Sequence, residues 1–523
     1  MTLGDRIHQI RTEAKLSQGQ FAALLEVSQQ SVGKWESGKA QPDPEKLIRI
    51  AKHFDLSLDA LILGNSNREV EELRNRGQIK PRYANIHDWE FYSSHIQTEY
   101  RQCLEEGLDV EKYADLFTAV SLLPKDEIKK KLGDTLFEIV SSAAQKEGYP
   151  YTEPSDLESI RALCALHAPI APDRARLQKQ IEGAWMGRVI GCMLGKTVEG
   201  MKRHELIPFL QETDNYPMHR FIRSDDLTEE RLAKYKYRLA NRCYADKIDG
   251  MPVDDDTNYT VLAQQLIEKY GRNFTPDNMA DFWLAMQPKN AYCTAERVAF
   301  CNFVKGYRPP DSAVYKNPFR EWIGAQIRGD YFGYINPGDP AAAAEMAWRD
   351  ASISHVKNGI YGEQLIAAMV AKAAVTADLE EILQAGLDHI PATSRLHAAI
   401  TAIRADHAAG ISYREAVRKV CDCWNDRNVH DWCHTISNAE LVTIALLYGN
   451  GDFARSICMA VENGFDTDCN GATVGSILGM ALGIDAIPAE WKAPFNDTLY
   501  TSIFGTTVVK ISACAAKTME HIL

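Results

Sequence analysis

The sequence predicts an all-α protein built from several domains. From about residue 173 to 523 apolar residues recur at helical spacing, and no stretch sustains the period-two alternation of a half-buried strand. The first 66 residues carry the capping signals of a set of short helices. At 523 residues the chain is too long for one ordinary core, so two or three domains are expected. Hydrophobic residues at 45% and charged residues at 25% match a soluble globular protein rather than a disordered or fibrous one.

Residues 1–66 come first. Ser17 followed by Gln20 has the spacing of a capping box and starts a helix with Phe21, Ala22, Leu24 and Leu25 on its apolar face. Ser28 starts the next. Only Glu26 and Val27 lie between, which forces a sharp helix-turn-helix corner and predicts a five-helix domain. The second helix, Gln29 to Glu36, presents amides, a hydroxyl and an ammonium, the groups that read base edges and phosphates. The segment "KLSQGQFAALLEVSQQSVGKWESGKAQPDPEKLIRIAKHFDLSLDALI" resembles the Cro/CI-type repressor family nearly end to end. That resemblance implies that Gln29, Gln30, Ser31 and Lys34 face the major groove of double-stranded DNA, that Trp35 and Leu47 pack the core, and that the protein is a homodimer on paired half-sites. A bundle of this kind used only for protein contacts is the other reading.

Residues 67–170 alternate charged and apolar positions, with helices expected near Gln97–Glu106 and Glu127–Gln145. They carry no recognisable chemistry and read as a helical connector, with dimerisation a possible role, ending at Pro154 and at Pro169 to Pro172.

Residues 171–523 form the large helical domain. Gly183, Gly187, Gly191 and Gly195 recur every fourth residue, as do Gly471, Gly475 and Gly479, so each row lies on one helix face. Glycine in a helix interior costs roughly 1 kcal/mol relative to alanine, so something must approach these faces closely. Tight helix packing would explain them, and so would a ligand seated against Gly191 and Gly195. Each row adjoins an acidic motif: Asp254-Asp255-Asp256-Thr257 opens one helical run and Asp466-Thr467-Asp468 another. Carboxylates at a helix start can simply cap free N–H groups. Three adjacent aspartates repel one another, however, and hard divalent cations shared between the two motifs would offset that repulsion.

Three ordered segments, "GAWMGRVIGCMLGKTVEG" at 183–200, "DDDT" at 254–257 and "GFDTDCNGATVGSILG" at 464–479, resemble the ADP-ribosylglycohydrolase family over about 300 residues. The resemblance implies an all-α fold with two magnesium ions, acting on the glycosidic bond of ADP-ribosyl or related ribosyl substrates. Carried over by position, Asp255, Asp256, Asp466 and Asp468 would be metal ligands, with Asp254 adding a carboxylate to the set. Asp256 and Glu199 would be catalytic, Glu199 as the acid/base near the scissile bond, and His355 would lie near the ligand. Cleavage of such a bond passes through an oxocarbenium-like state that carboxylates stabilise while one of them handles the proton.

The chain departs from the family at Asp254, where threonine is usual, and at Cys469, where a soft thiol replaces a hydroxyl. These changes leave the second magnesium site open. The family's Gly-Asn-Gly-rich stretch is absent, with Gly324 to Arg328 its nearest counterpart, which makes substrate identity less defined than reaction type. The same departures support an alternative, a regulator that senses ADP-ribose without turning it over.

The net charge of −13 excludes a whole-molecule nucleic-acid binder, so DNA contact must be local. Met1 to Arg6 holds no apolar signal segment, and the stretch from Gly471 to Ile484 is too short for a membrane span. A cytoplasmic protein with no membrane contact is expected. Twelve cysteines then read as free thiols, and Cys421, Cys423, Cys433 and His434 lack the paired spacing of structural zinc.

Overall fold

The computed structural model describes residues 1–64 and 82–522, and the boundary expected at 66–67 lies outside the described residues. The chain divides into two compact units, Met1–Asn85 and Ile86–Leu523. Helix makes up 63% of the protein, and the sheet among the described residues is a two-stranded hairpin, β1 (Thr498–Ile503) and β2 (Thr506–Lys510). The all-α class therefore holds.

The N-terminal unit contains α1 (Leu3–Glu13), α2 (Gln18–Leu24), α3 (Gln29–Glu36), α4 (Pro44–His53) and α5 (Leu58–Leu63). Local chemistry sets their ends. Ser17 Oγ accepts from the Gln20 amide while the Gln20 side chain accepts from the Ser17 amide, and Ser28, Asp43 and Ser57 each cap the helix that follows. The core gathers Ile7, Phe21, Leu25, Val32, Trp35, Ile50 and Leu61, with Leu47 packed against it. One carboxylate ties three helices: Glu36 accepts from Arg11 Nε at 2.6 Å and from Gln18 Nε2 at 2.8 Å.

The second unit is organised around two helices, Arg174–Lys196 and Thr467–Leu482, whose glycine rows face each other. A Cβ at Gly183, Gly187, Gly191 or Gly195 would meet backbone atoms of Gly479, Gly475, Gly471 or Thr467 at under 3.0 Å. The ligand room expected at Gly191 and Gly195 is thus taken by the opposite helix, and the bare faces serve packing. Thr467–Ala481 is buried on every side, so its polar residues Thr467, Asn470, Thr473 and Ser476 face protein rather than solvent.

Residues 86–150 form a small helical cluster around Ile96, Cys103, Phe117 and Leu136, and two of its helices, Ile96–Glu105 and Glu127–Ser141, match the expected positions. The cluster is fastened to the helical body by buried charge. Arg320 reaches Glu99 at 2.9 Å and Glu106 at 2.6 Å, Gln102 donates to Glu321 at 2.5 Å, and Lys357 reaches Glu106 at 2.6 Å.

Candidate active site

The two glycine helices bring the acidic motifs together. Lys196 ends the first glycine helix, Asp466 precedes the second, and the third contributor, Asp255–Tyr270, begins at Asp254. Thr467 Oγ1 donates to the Gly195 carbonyl at 2.9 Å, which locks the two ends in register. Before Asp466 the chain turns through two left-handed residues, Gly464 (φ 75°) and Phe465 (φ 59°). Trp432 Nε1 holds the Phe465 carbonyl at 2.5 Å, and Asn438 Oδ1 accepts from the Asp466 amide at 3.1 Å and from Asn470 Nδ2 at 2.9 Å. These partners hold a strained turn that aims Asp466 and Asp468 inward.

The two motifs differ in what their first residue does. Asp254 is a true cap, accepting from the Asp256 amide at 3.0 Å, whereas the Asp466 side chain makes no cap bond. Capping therefore does not account for the second motif. Asp254, Asp256, Asp466 and Asp468 are all buried, and Asp255 and Glu199 are half-buried. Burial, followed by neighbouring carboxylates, drives Asp255, Asp256 and Asp468 well above the usual carboxylate range, lifts Asp466 to about 7 and raises Glu199. Asp254 alone is pulled below its ordinary value against the cost of burial, because Lys196 Nζ lies 2.5 Å from its Oδ2.

Several partners were not read from the sequence. Arg188, fully buried, bridges Asp256 Oδ1 at 3.3 Å and Asp330 at 2.8 Å. Tyr237 and Arg242 both donate to the Glu199 carbonyl, at 2.7 and 2.6 Å, fixing the loop that carries it. Lys196 lies inside a quoted motif, but its pairing with Asp254 across 58 positions leaves no local signal.

The residues present fit one cation. Asp256 Oδ2 and Asp468 Oδ1 are buried without a hydrogen-bond partner, and Asp256, Asp468 and Cys469 can each place a ligand atom within 4.8 Å of the others. An orphaned carboxylate oxygen in a dry interior is costly, and a hard divalent ion between the two removes that cost. Cys469 is a weak third donor, since burial beside Asp256 keeps its thiol protonated. Two further groups have ligand-like spacing among the described residues: Cys192, Asp254 and Asp256, where burial keeps the thiol protonated and Lys196 already holds Asp254, and Glu105, His430 and His434, which does not fit a metal. Trp322 Nε1 donates to His430 Nδ1 at 3.0 Å and the Ile436 amide donates to His434 Nδ1 at 3.1 Å. A ring that accepts at Nδ1 carries its proton on Nε2, and these atoms face Glu105 Oε2 at 3.0 and 3.4 Å. A ligating nitrogen must be bare.

His355 is buried, with Nδ1 against Ser354 Oγ at 2.8 Å and Nε2 without a hydrogen-bond partner; burial and Arg328 hold the ring neutral, so it stands beside the ion network in which Arg328 contacts Glu296 at 2.7 Å and Asp350 at 2.9 Å. It also lines a cavity of about 500 Å³ with Trp348 and Val356, to which none of the six acidic-site residues contributes. Gly324 is bare because the Glu296 carboxylate lies against it. In the N-terminal unit Gln29, Gln30 and Lys34 are exposed on α3, and Ser31 Oγ lies 2.9 Å from the capping Ser28 hydroxyl.

An all-α body with paired glycine helices and a buried, cation-ready acidic site defines the class. The ADP-ribosylglycohydrolase family profile matches residues 173–516, and the protein belongs to that family. A helix-turn-helix profile matches residues 7–61. The HTH-type transcriptional activator BcrR of Enterococcus faecalis is 37% identical over 87 residues, 17% of this chain and 43% of its own, so the match spans less than half of that relative. The uncharacterized HTH-type transcriptional regulator YonR of Bacillus subtilis is 33% identical over 73 residues, 14% of this chain and 68% of its own. A solved structure titled "ADP-ribosylglycohydrolase-related protein complex" aligns with 67% of this chain and 100% of its own, at 17% identity and a TM-score of 0.41. Among the described residues no helix is long and apolar enough to cross a membrane, and all twelve cysteines are free.

Proposed function

We propose that the protein hydrolyses the glycosidic bond of an ADP-ribosyl or related ribosyl substrate, with magnesium bound at the acidic site, and that it binds double-stranded DNA through α3. The observation that carries the reading is the pair of orphaned oxygens, Asp256 Oδ2 and Asp468 Oδ1, inside a family-matched domain. Asp256 and Asp468 would hold the ion, which when bound supplies a fixed positive charge for ribose hydroxyls and for water. Glu199, on a loop pinned by Tyr237 and Arg242, keeps its proton to higher pH than a free glutamate and serves as the acid/base. The buried carboxylates around it oppose the positive charge that develops on the sugar ring.

The test is release of ADP-ribose from ADP-ribosyl-arginine by the full chain with magnesium, beside Asp256→Asn and Asp468→Asn. Turnover in the parent and a loss of at least about 100-fold in either variant is expected. Absence of a ribosyl product from every ADP-ribosylated and nucleoside substrate would exclude the reaction. A second reading is favoured by Lys196, whose ammonium already sits at Asp254: the domain binds an ADP-ribose-like signal without turnover and changes DNA affinity. A ligand that left DNA affinity unaltered would remove that reading.

A further inference from the structure

We infer that Lys196 is a resident cation that takes the charge position of a second metal ion, so that the acidic site binds one divalent ion, between Asp256 and Asp468. The inference deepens the reading that this site binds metal and is independent of turnover.

Lys196 is the last residue of the first glycine helix, and its backbone is fixed by the close approach of Gly195 to Thr467 and by the Thr467 hydroxyl on the Gly195 carbonyl. From there its ammonium reaches Asp254 Oδ2 at 2.5 Å, while Asp254 Oδ1 accepts the Asp256 amide at 3.0 Å. Both oxygens of Asp254 are therefore spoken for by hydrogens. The pair is desolvated, with side chains 19% and 2% exposed, so an ion at Asp254 would have to break a buried ion pair and leave an ammonium beside itself. Arg188 engages Asp256 Oδ1 from the other side. Among the fully buried carboxylate oxygens of the site, one on Asp256 and one on Asp468 are left unpartnered, both on residues no more than 3% exposed. With an ammonium already at Asp254, this buried pair marks the position of one ion, and Asp255 and Asp466 stand beside it as further carboxylates. The same geometry accounts for Asp254 itself: a carboxylate where the family carries threonine is the counter-charge that a lysine at position 196 requires.

The experiment titrates Mn²⁺ alone into the full chain and reads stoichiometry by calorimetry and the electron paramagnetic resonance spectrum. The parent should bind one Mn²⁺ with the six-line spectrum of an isolated ion. Lys196→Met should take two, with the broadened spectrum of a coupled pair, and Lys196→Arg, which keeps the charge, should stay at one. Two ions in the parent, or one in Lys196→Met, would overturn the inference. If Lys196→Met does not fold, Asp254→Thr/Lys196→Ala, which restores the family's residue beside a neutral one, is read the same way. No Mn²⁺ on the parent would overturn the metal reading along with it, whereas one ion without hydrolysis would leave this inference standing and exclude the enzyme.

Discussion

At the scale of single residues, burial decides which proton each carboxylate or imidazole keeps. Glu199 is pushed up by burial and then by Asp254, with Lys196 and Arg242 opposing. A residue that acts as acid/base from that setting should lose about 100- to 10,000-fold in kcat as Glu199→Gln while Mn²⁺ affinity stays level, because its side chain is outside the ion's open donor set. A fall in Mn²⁺ affinity equal to the fall in kcat would make Glu199 a ligand instead. His434 titrates in a separate place and has a different consequence. Burial holds it neutral, with its pKa down at about 4, despite the attraction of Glu105. Between the ordinary imidazole value of 6.5 and about 4, the unfolded chain binds a proton that the folded chain refuses. Stability present above pH 6.5 is therefore lost as pH falls through that window, by about 3 kcal/mol across it. Because His434 faces Glu105, the loss should register as lower hydrogen-exchange protection of Ile96–Glu105 at pH 4.5 than at pH 7, and His434→Gln should flatten the difference.

At the scale of elements, the central feature is a pair of helices in backbone contact along four turns. Gly187→Ala would place a methyl group under 3.0 Å from the Gly475 carbonyl and close to the Phe453 ring, in a row that the neighbouring glycines keep straight. We expect it to destabilise the second unit by at least about 1–3 kcal/mol, read as a lower thermal midpoint. Gly33→Ala in α3, where only the end of the Gln18 side chain is near, should instead stabilise by about 0.5–1 kcal/mol. Equal effects at both positions would show that the glycine rows do not interlock. The rows themselves were legible in the sequence as surfaces of close approach, since period four puts glycine on one face. Their partner was not, because spacing within one helix says nothing of the helix opposite. The short N-terminal helices were legible for the opposite reason: Ser17 with Gln20, and Ser28, satisfy amides two or three residues away, so the signal is local. Lys196 with Asp254, and Arg320 with Glu99 and Glu106, are pairings between distant segments, and such contacts leave no trace in one chain's periodicity.

At the scale of the whole molecule, charge is divided unevenly between the two units. The first unit, Met1–Asn85, carries thirteen Lys or Arg and eleven Asp or Glu, so the negative excess of the chain lies wholly in Ile86–Leu523. A nearly balanced helix-turn-helix unit contributes little long-range attraction to DNA, which puts the weight of recognition on direct contacts from α3. Gln29 and Gln30 are exposed at its start, and a glutamine read bidentately against adenine discriminates by about 1–3 kcal/mol. Gln29→Ala/Gln30→Ala should therefore relax sequence preference, measured as the ratio of affinities for selected and scrambled duplexes, with little change in salt dependence. Lys34→Ala, which removes the one cation exposed on α3, should weaken both duplexes alike and flatten the salt slope by about one where that ammonium meets a phosphate. The proposed homodimer adds a second condition, since two copies on half-sites should bind one duplex as a unit with 2:1 stoichiometry. Release of ADP-ribose from ADP-ribosyl-arginine measured on the same variants then decides whether the units act separately. Unchanged kcat with relaxed DNA preference would mean that the fusion colocalises two independent activities. If losing Gln29 and Gln30 alters hydrolysis only when DNA is present, the two sites are coupled, and saturating the acidic site must shift DNA affinity by the reciprocal amount.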